Sequence, residues 1–293
     1  MGGMHMEQKP LVVVNGLVRK DAIAYLKEHV EVRQWTEKTV MPRETLKEWL
    51  VDADGLWCVR PLDVDGDLVK NAPNLKVIAQ AAVGYDNVNI DELTAAGIPY
   101  GNTPGVLNET VAELAFTLIA TASRRILENA NFVKEGRWAQ RPSNIKGFDL
   151  SRRTLGIIGM GAIGVSISRR ARAFGMTVVY HNRNQRIDDK IHKTTYMELD
   201  DLLATSDVVC VMAPLTDETY HMCDDAFFKK MKNTALFVNV GRGPIVDTDA
   251  LINALKTGEI DYAALDVTDP EPLPADHPLL EVENCLIVPH IGS

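Results

Sequence analysis

The sequence predicts an α/β protein of two domains, each built on a parallel sheet. Three observations carry this. Short apolar runs alternate with segments of helical period from Pro10 to the end of the chain, as they do in βαβ units. The alternation falls into two series, joined by one helical segment much longer than the others. The chain also has 293 residues, more than one hydrophobic core organises, since a domain takes about 150.

In the first series the strands are "PLVVVN" (10–15), "GLWCV" (55–59) and "LKVIAQ" (75–80). Between the first two, "MPRETLKEWL" (41–50) spaces its apolar residues as a helix does, and Pro42 stands where that helix begins. The joining segment (108–136) contains no proline and no internal glycine, and it reads as one long bridging helix. The domains are therefore expected at 1–107 and 108–293.

The second series runs through "RTLGIIG", "MTVVYH", "DVVCVMAP", "ALFVNV", "YAALDV" and "CLIVPH". These are near-continuous Val, Ile and Leu runs, the pattern of strands covered on both faces.

Composition narrows the function. A net charge of -9 provides no overall basic field for nucleic acid or an anionic membrane surface, so neither is expected as a partner. Cys58, Cys210, Cys223 and Cys285 are scattered with no Cys-x-x-Cys pair, which points to free thiols and a reducing, cytoplasmic location. No apolar run reaches the roughly 18 residues of a membrane span. The opening "MGGMHMEQKP" lacks the apolar core of a signal peptide and is set aside from the fold. No His-Glu-x-x-His spacing occurs, and no metal is expected.

The motif with the clearest chemistry is "GMGAIG". Gly159, Gly161 and Gly164 have the G-x-G-x-x-G spacing directly after a strand and at the opening of a helix. In that context the first glycine makes a tight turn, the second lets the backbone approach a pyrophosphate, and the third lets helix and strand pack closely. The amides of Ala162 and Ile163 would face the phosphates at the helix N-terminus. The motif predicts a dinucleotide site in a Rossmann-type doubly wound sheet, the alternative being a purely structural glycine turn.

Where NAD enzymes place an acid on the ribose 2′-hydroxyl, the next strand offers Asn182, with Arg183 and Arg186 close behind. Arginines bind a 2′-phosphate that a carboxylate would repel, so NADP (as NADPH) is favoured and NAD stays possible. The alternative, that both arginines are solvated loop charges, stays open at this stage.

Polar residues also close three strands of the second series: Arg242 in "NVGRG", Asp266 and Glu271 in "LDVTDPEP", and His290 in "VPHIG". Open α/β sheets place their sites at these carboxyl ends. With "AVGYDNVNID", "GIPYGNTPG", "APLTDET" and "VPHIGS" in the same order, the chain from Pro10 onward resembles the D-isomer-specific 2-hydroxyacid dehydrogenase family.

The resemblance implies a smaller flavodoxin-like α/β substrate domain followed by the Rossmann-type domain, closing over a cleft. It implies Arg242 as the cation on the substrate carboxylate and carbonyl, His290 as proton donor and Glu271 as its partner, favouring the imidazolium. The backbone at Val83 and Gly84, with Arg60, would hold substrate. Asn182 and Arg183 would meet the adenosine ribose, the backbone at Ala213 and Val240 would line the nucleotide, and Asp266 would meet the nicotinamide carboxamide.

The implied reaction is hydride transfer between NADP(H) and C2 of a small 2-ketoacid, of the glyoxylate, hydroxypyruvate or 2-ketogluconate reductase type, in a cytoplasmic homodimer. Rival readings are a nucleotide-binding corepressor of the same fold and an inactive fragment. The second arises because members of the family generally continue past "VPHIGS" into a helix that returns to the first domain.

Overall fold

Both sheets are wholly parallel, the arrangement that strands apolar on both faces require. The computed structural model describes residues 9–60 and 62–293. His5 therefore lies outside the described residues. The chain divides into two units, Met1–Val106 and Leu107–Ser293.

The first unit alternates β1 (Leu11–Val14), α1 (Lys20–His29), β2 (Glu31–Gln34), α2 (Arg43–Leu50), β3 (Gly55–Cys58), α3 (Gly66–Lys70), β4 (Val77–Gln80), α4 (Ile90–Ala95) and β5 (Tyr100–Gly101). Its strand order β2-β1-β3-β4-β5 is the flavodoxin-like order. Leu46, Leu50, Leu68 and Ile78 are fully buried in its core, each stabilising the fold by about 1.5–3 kcal/mol relative to exposure. The short helices are held by caps: Asp65 accepts from the Leu68 amide and Asn89 from the Glu92 amide.

Apolar runs alone do not reveal β2 and β5, and the reason is their place. They are the edge strands, one reading "EVRQ" and the other only two residues long. Neither carries a continuous apolar run, so neither stands out from the loops around it.

The second unit contains α5 (Asn108–Ser123), α6 (Ile126–Lys134), β6 (Thr154–Ile158), α7 (Ala162–Ala173), β7 (Thr177–His181), α8 (Asp189–His192), β8 (Thr195–Tyr196), α9 (Leu199–Thr205), β9 (Val208–Val211), α10 (Asp225–Lys230), β10 (Leu236–Asn239), α11 (Thr248–Thr257), β11 (Tyr262–Leu265) and β12 (Cys285–Ile287). The order is β12-β11-β10-β9-β6-β7-β8. The chain winds outward from β6 in one direction and from β9 in the other, so their junction is the switch point at which doubly wound sheets bind ligands.

Two cores cover the two faces of this sheet. Val209, Val211 and Phe237 belong to one, and Val208, Cys210 and Leu236 to the other. That alternation explains why these strands read as unbroken apolar runs.

The long joining segment is two helices, which corrects the expectation of one. Arg125 is left-handed, with φ +51°, and breaks the segment between α5 and α6. Its guanidinium stacks 3.7 Å over the Tyr262 ring and donates to Asp261 at 2.7 Å. Tyr262 in turn donates to Glu128 on α6 at 2.6 Å. These tertiary contacts hold a turn that local sequence, free of proline and glycine, does not announce. α5 packs on α7, β10 and β11 within the second unit.

Among the described residues no helix is long and apolar enough to cross a membrane, and no cluster of three or more His, Cys, Asp or Glu side chains could hold a metal ion.

Candidate active site

The glycine-rich turn joins β6 to α7, and its three glycines meet three different surroundings. Gly159 has φ +99°, and a β-carbon there would lie 2.6 Å from the Ala213 amide nitrogen. Only glycine fits that conformation so close to a neighbouring backbone. A β-carbon on Gly164 would sit 2.9 Å from the Gly159 carbonyl oxygen, so α7 packs tightly onto the turn. At Gly161 a β-carbon would meet nothing within 4 Å.

Gly161 is also the N-cap of α7, with no side-chain cap. The first-turn amides, those of Ala162 and Ile163 among them, are therefore left for an anion at the positive end of the helix. The cradle fits the pyrophosphate of a dinucleotide.

Beyond β7 the structure shows what two of the expected cofactor residues touch within the chain. Asn182 accepts from the Met160 amide at 2.6 Å and donates to the Met160 carbonyl at 3.3 Å. Its side chain thus braces the glycine-rich turn. Arg186 makes two hydrogen bonds to Asp188, at 2.7 and 2.6 Å, and a third to the Met160 carbonyl at 3.0 Å. Its guanidinium is committed to this brace, because Asp188 two residues on supplies a matching carboxylate. Arg183 is the arginine of the pair without such a clamp; the carboxylate it influences is that of Glu218.

The catalytic candidates follow β10, β11 and β12, three adjacent strands. His290 Nδ1 lies 2.5 Å from Glu271 Oε1, and Glu271 Oε2 accepts from the Thr268 amide at 3.3 Å. A carboxylate only accepts, so Nδ1 carries its hydrogen and Nε2 remains as the atom that exchanges a proton. The side chains are 49% and 39% exposed, so both reach solvent. His290 itself is left-handed, with φ +52°.

The Arg242 loop is set by Asn239, the last residue of β10 and 1% exposed. Asn239 accepts from the Gly241 amide at 3.0 Å and donates to the Arg242 carbonyl at 2.9 Å. A β-carbon on Gly241 would lie 2.9 Å from the Ala213 carbonyl oxygen. Ala213 thus lies between the glycine-rich turn and the Arg242 loop, and Val240 is buried in the core.

Asp266, expected to meet the nicotinamide carboxamide, is also bound to the chain itself. It is 3% exposed, and its two carboxylate oxygens accept from the Ile291 and Gly292 amides at 2.6 and 3.1 Å.

In the first unit, Asn15 fixes the turn bearing Arg60: its side-chain oxygen accepts from the Val59 and Arg60 amides at 2.7 and 3.1 Å. The loop bearing Val83 and Gly84 is held by its carbonyls. Val83 accepts from Asn102 at 2.8 Å and Gly84 from Gln80 at 2.9 Å. With the carbonyls turned inward, the amides of Val83 and Gly84 serve no acceptor among the described residues.

Sequence reasoning missed Asn15, Gln80, Asn239 and Thr268. The first three share a signal it could have used. Each is a buried amide side chain that ends or directly follows an apolar strand, where only a structural hydrogen-bonding task offsets the burial.

The chain resembles known proteins in sequence and in fold. Residues 116–292 match the sequence profile of the D-isomer specific 2-hydroxyacid dehydrogenase, NAD binding domain. The chain is 42% identical to the glyoxylate reductase of Korarchaeum cryptofilum, over 97% of this chain and 87% of that one. It is 41% identical to the glyoxylate reductase of Thermococcus gammatolerans, with the same coverage. Among solved structures, it superposes on the NADPH-dependent glyoxylate/hydroxypyruvate reductase of Sinorhizobium meliloti, in complex with NADP and malonate. The TM-score is 0.87 at 30% identity, covering 98% of this chain and 88% of that one. A D-lactate dehydrogenase from Aquifex aeolicus, complexed with NAD and lactic acid, superposes with a TM-score of 0.83 at 30% identity, covering 96% and 88%.

Proposed function

The chain belongs to the D-isomer-specific 2-hydroxyacid dehydrogenase family, and from that premise we propose an NADPH-preferring reductase of small 2-ketoacids, of the glyoxylate, hydroxypyruvate or 2-ketogluconate type. The observation that carries the reading is the Glu271–His290 pair, held at the carboxyl ends of β11 and β12 beside the Arg242 loop.

The dinucleotide, when bound, supplies the hydride that reduces C2 of the ketoacid. Gly159, Gly161, Ala162, Ile163 and Gly164 would hold its pyrophosphate, with the backbone at Ala213 and Val240 along the nucleotide. The unclamped Arg183 is the residue of choice for a 2′-phosphate.

Arg242 binds the substrate carboxylate, since a planar guanidinium meets two oxygens at once. It also stabilises the negative charge that develops on the carbonyl oxygen. His290 delivers the proton from Nε2 to that oxygen, and the reverse transfer makes it the general base of hydroxyacid oxidation. Glu271 fixes the ring through Nδ1 and balances the imidazolium charge. Arg60 and the free amides of Val83 and Gly84 are the substrate contacts proposed from the first unit.

The cysteines fit a reducing cytoplasm. All four are free, and burial pushes the thiols of Cys58, Cys210 and Cys285 up to about 12, which leaves them unreactive. A homodimer belongs to the same reading and is checked by light scattering.

The deciding assay follows loss of NADPH or NADH absorbance with glyoxylate, hydroxypyruvate, 2-ketogluconate and pyruvate. Turnover of one of the first three, faster with NADPH, is the expected result. Coenzyme binding with no turnover of any of them would point instead to a nucleotide-binding partner protein.

A further inference from the structure

We infer that Asp266 is a positioning residue for the proton donor, holding the backbone of the His290 loop. The inference rests on the reading of His290 given above.

Asp266 follows β11 directly, and His290 lies just beyond β12, the neighbouring strand. Three hydrogen bonds join Asp266 to the His290 loop. The Asp266 carbonyl accepts from the His290 amide at 2.9 Å, and its carboxylate accepts from the next two amides, Ile291 at 2.6 Å and Gly292 at 3.1 Å. One buried residue thus grips three consecutive peptide groups.

That grip falls where the backbone needs it. His290 has φ +52°, a left-handed conformation unfavourable for a side chain with a β-carbon. Such a conformation persists when its surroundings over-determine it. Two charge-assisted bonds from a buried carboxylate do so, and they are stronger than neutral ones. The backbone angles of His290 set where its ring falls relative to Glu271. Glu271 has a separate hydrogen bond from the Thr268 amide, so its position does not depend on His290 alone.

Gly292 gives a second handle. A β-carbon there would lie 3.0 Å from Asp266 Oδ2 and 3.5 Å from Val111. Alanine at this position would press on the carboxylate while leaving Asp266 intact.

The test compares Asp266→Asn, Asp266→Ala and Gly292→Ala in the full chain. NADPH affinity is read by nicotinamide fluorescence, and kcat and KM with glyoxylate. The solvent deuterium isotope effect on kcat and the His290 ring nitrogen shifts in the ligand-free protein complete the set. A proton donor displaced by about 1 Å loses about a hundredfold in rate. The Ala variant should approach that loss in kcat, with Asn and Gly292→Ala intermediate. NADPH affinity and KM should stay within about twofold, a uniform-binding signature left unchanged. The isotope effect should rise as proton delivery becomes limiting, and the ring shifts should move.

NADPH affinity weakened about tenfold with kcat preserved would give Asp266 to the coenzyme and overturn the inference. A fall in kcat with unchanged isotope effect and ring shifts would overturn it in favour of a purely structural role. His290→Gln in parallel separates the two levels. If that variant keeps full turnover, the reading of His290 fails and this inference falls with it. If it loses turnover while the Asp266 variants keep theirs, the inference alone fails.

Discussion

A β-carbon added to Gly243 would lie 1.8 Å from the carbonyl oxygen of Thr268. The loop that carries Arg242 therefore rests directly on the loop that carries Glu271, and the close approach of these two candidate loops requires a residue without a side chain. Gly243→Ala should force the loops apart, at about 1–3 kcal/mol of stability as for other overpacked sites. Melting temperature and kcat/KM should both fall. An alanine variant with parental kcat/KM would show that the two loops act independently.

Arg242→Lys keeps the charge and discards the planar fork. Hydrogen bonds to charged groups contribute about 1.5–3 kcal/mol each, so loss of one to the substrate carboxylate should lower kcat/KM for glyoxylate about tenfold to a hundredfold. Steady-state kinetics check this, and a lysine variant within twofold of the parent (about 0.4 kcal/mol) contradicts the bidentate role.

The two arginines after β7 should separate in coenzyme kinetics. Arg183→Ala should reduce kcat/KM for NADPH about tenfold, the loss of one charge-assisted contact, and leave NADH nearly untouched. Arg186→Ala should affect both coenzymes alike, because Arg186 works through the Met160 carbonyl that the glycine-rich turn presents. A selective NADPH defect in Arg186→Ala would reverse the assignment.

The same brace makes a prediction about acid. Hydrogen bonding to Arg186, with His192 adding to it, pulls the Asp188 carboxyl down to about 2, against about 3.9 in an unfolded chain. A carboxylate with a lower pKa folded than unfolded stabilises the fold above the unfolded value, and that contribution disappears as pH falls through the folded one. Asp188→Asn should therefore melt below the parent at neutral pH, and the gap should close between about pH 4 and about pH 2. A gap that widens toward acid would contradict the ion pair as its source.

Much of this architecture is legible in the sequence because its strands are buried on both faces. "DVVCVMAP" and "ALFVNV" announce β9 and β10 without alignment or structure. The edge strands β2, β5 and β8 are not legible, since short half-solvated segments have no apolar signature. The break at Arg125 is silent for another reason, being fixed by Asp261 and Tyr262, more than a hundred residues away in sequence.

The candidate site shows the same division. Gly159, Gly164, Glu271 and His290 are visible as motif positions, and each has a matching local environment. What motif reading does not show is that polar residues expected at a ligand also hold loops. Asn182, Arg186 and Asp266 look like ligand contacts when read along the chain, and only the fold reveals that they also bind Met160, Asp188 and the Ile291 and Gly292 amides.

The central claim is that His290 delivers the proton, and one variant tests it most directly. His290→Gln keeps a side chain of similar length and removes the exchangeable proton near neutral pH. General acid catalysis contributes about a hundredfold to ten-thousandfold, so kcat with glyoxylate should fall by that factor while NADPH affinity stays within about twofold of the parent. A variant that keeps parental kcat, or that loses NADPH affinity in proportion to kcat, would contradict the account.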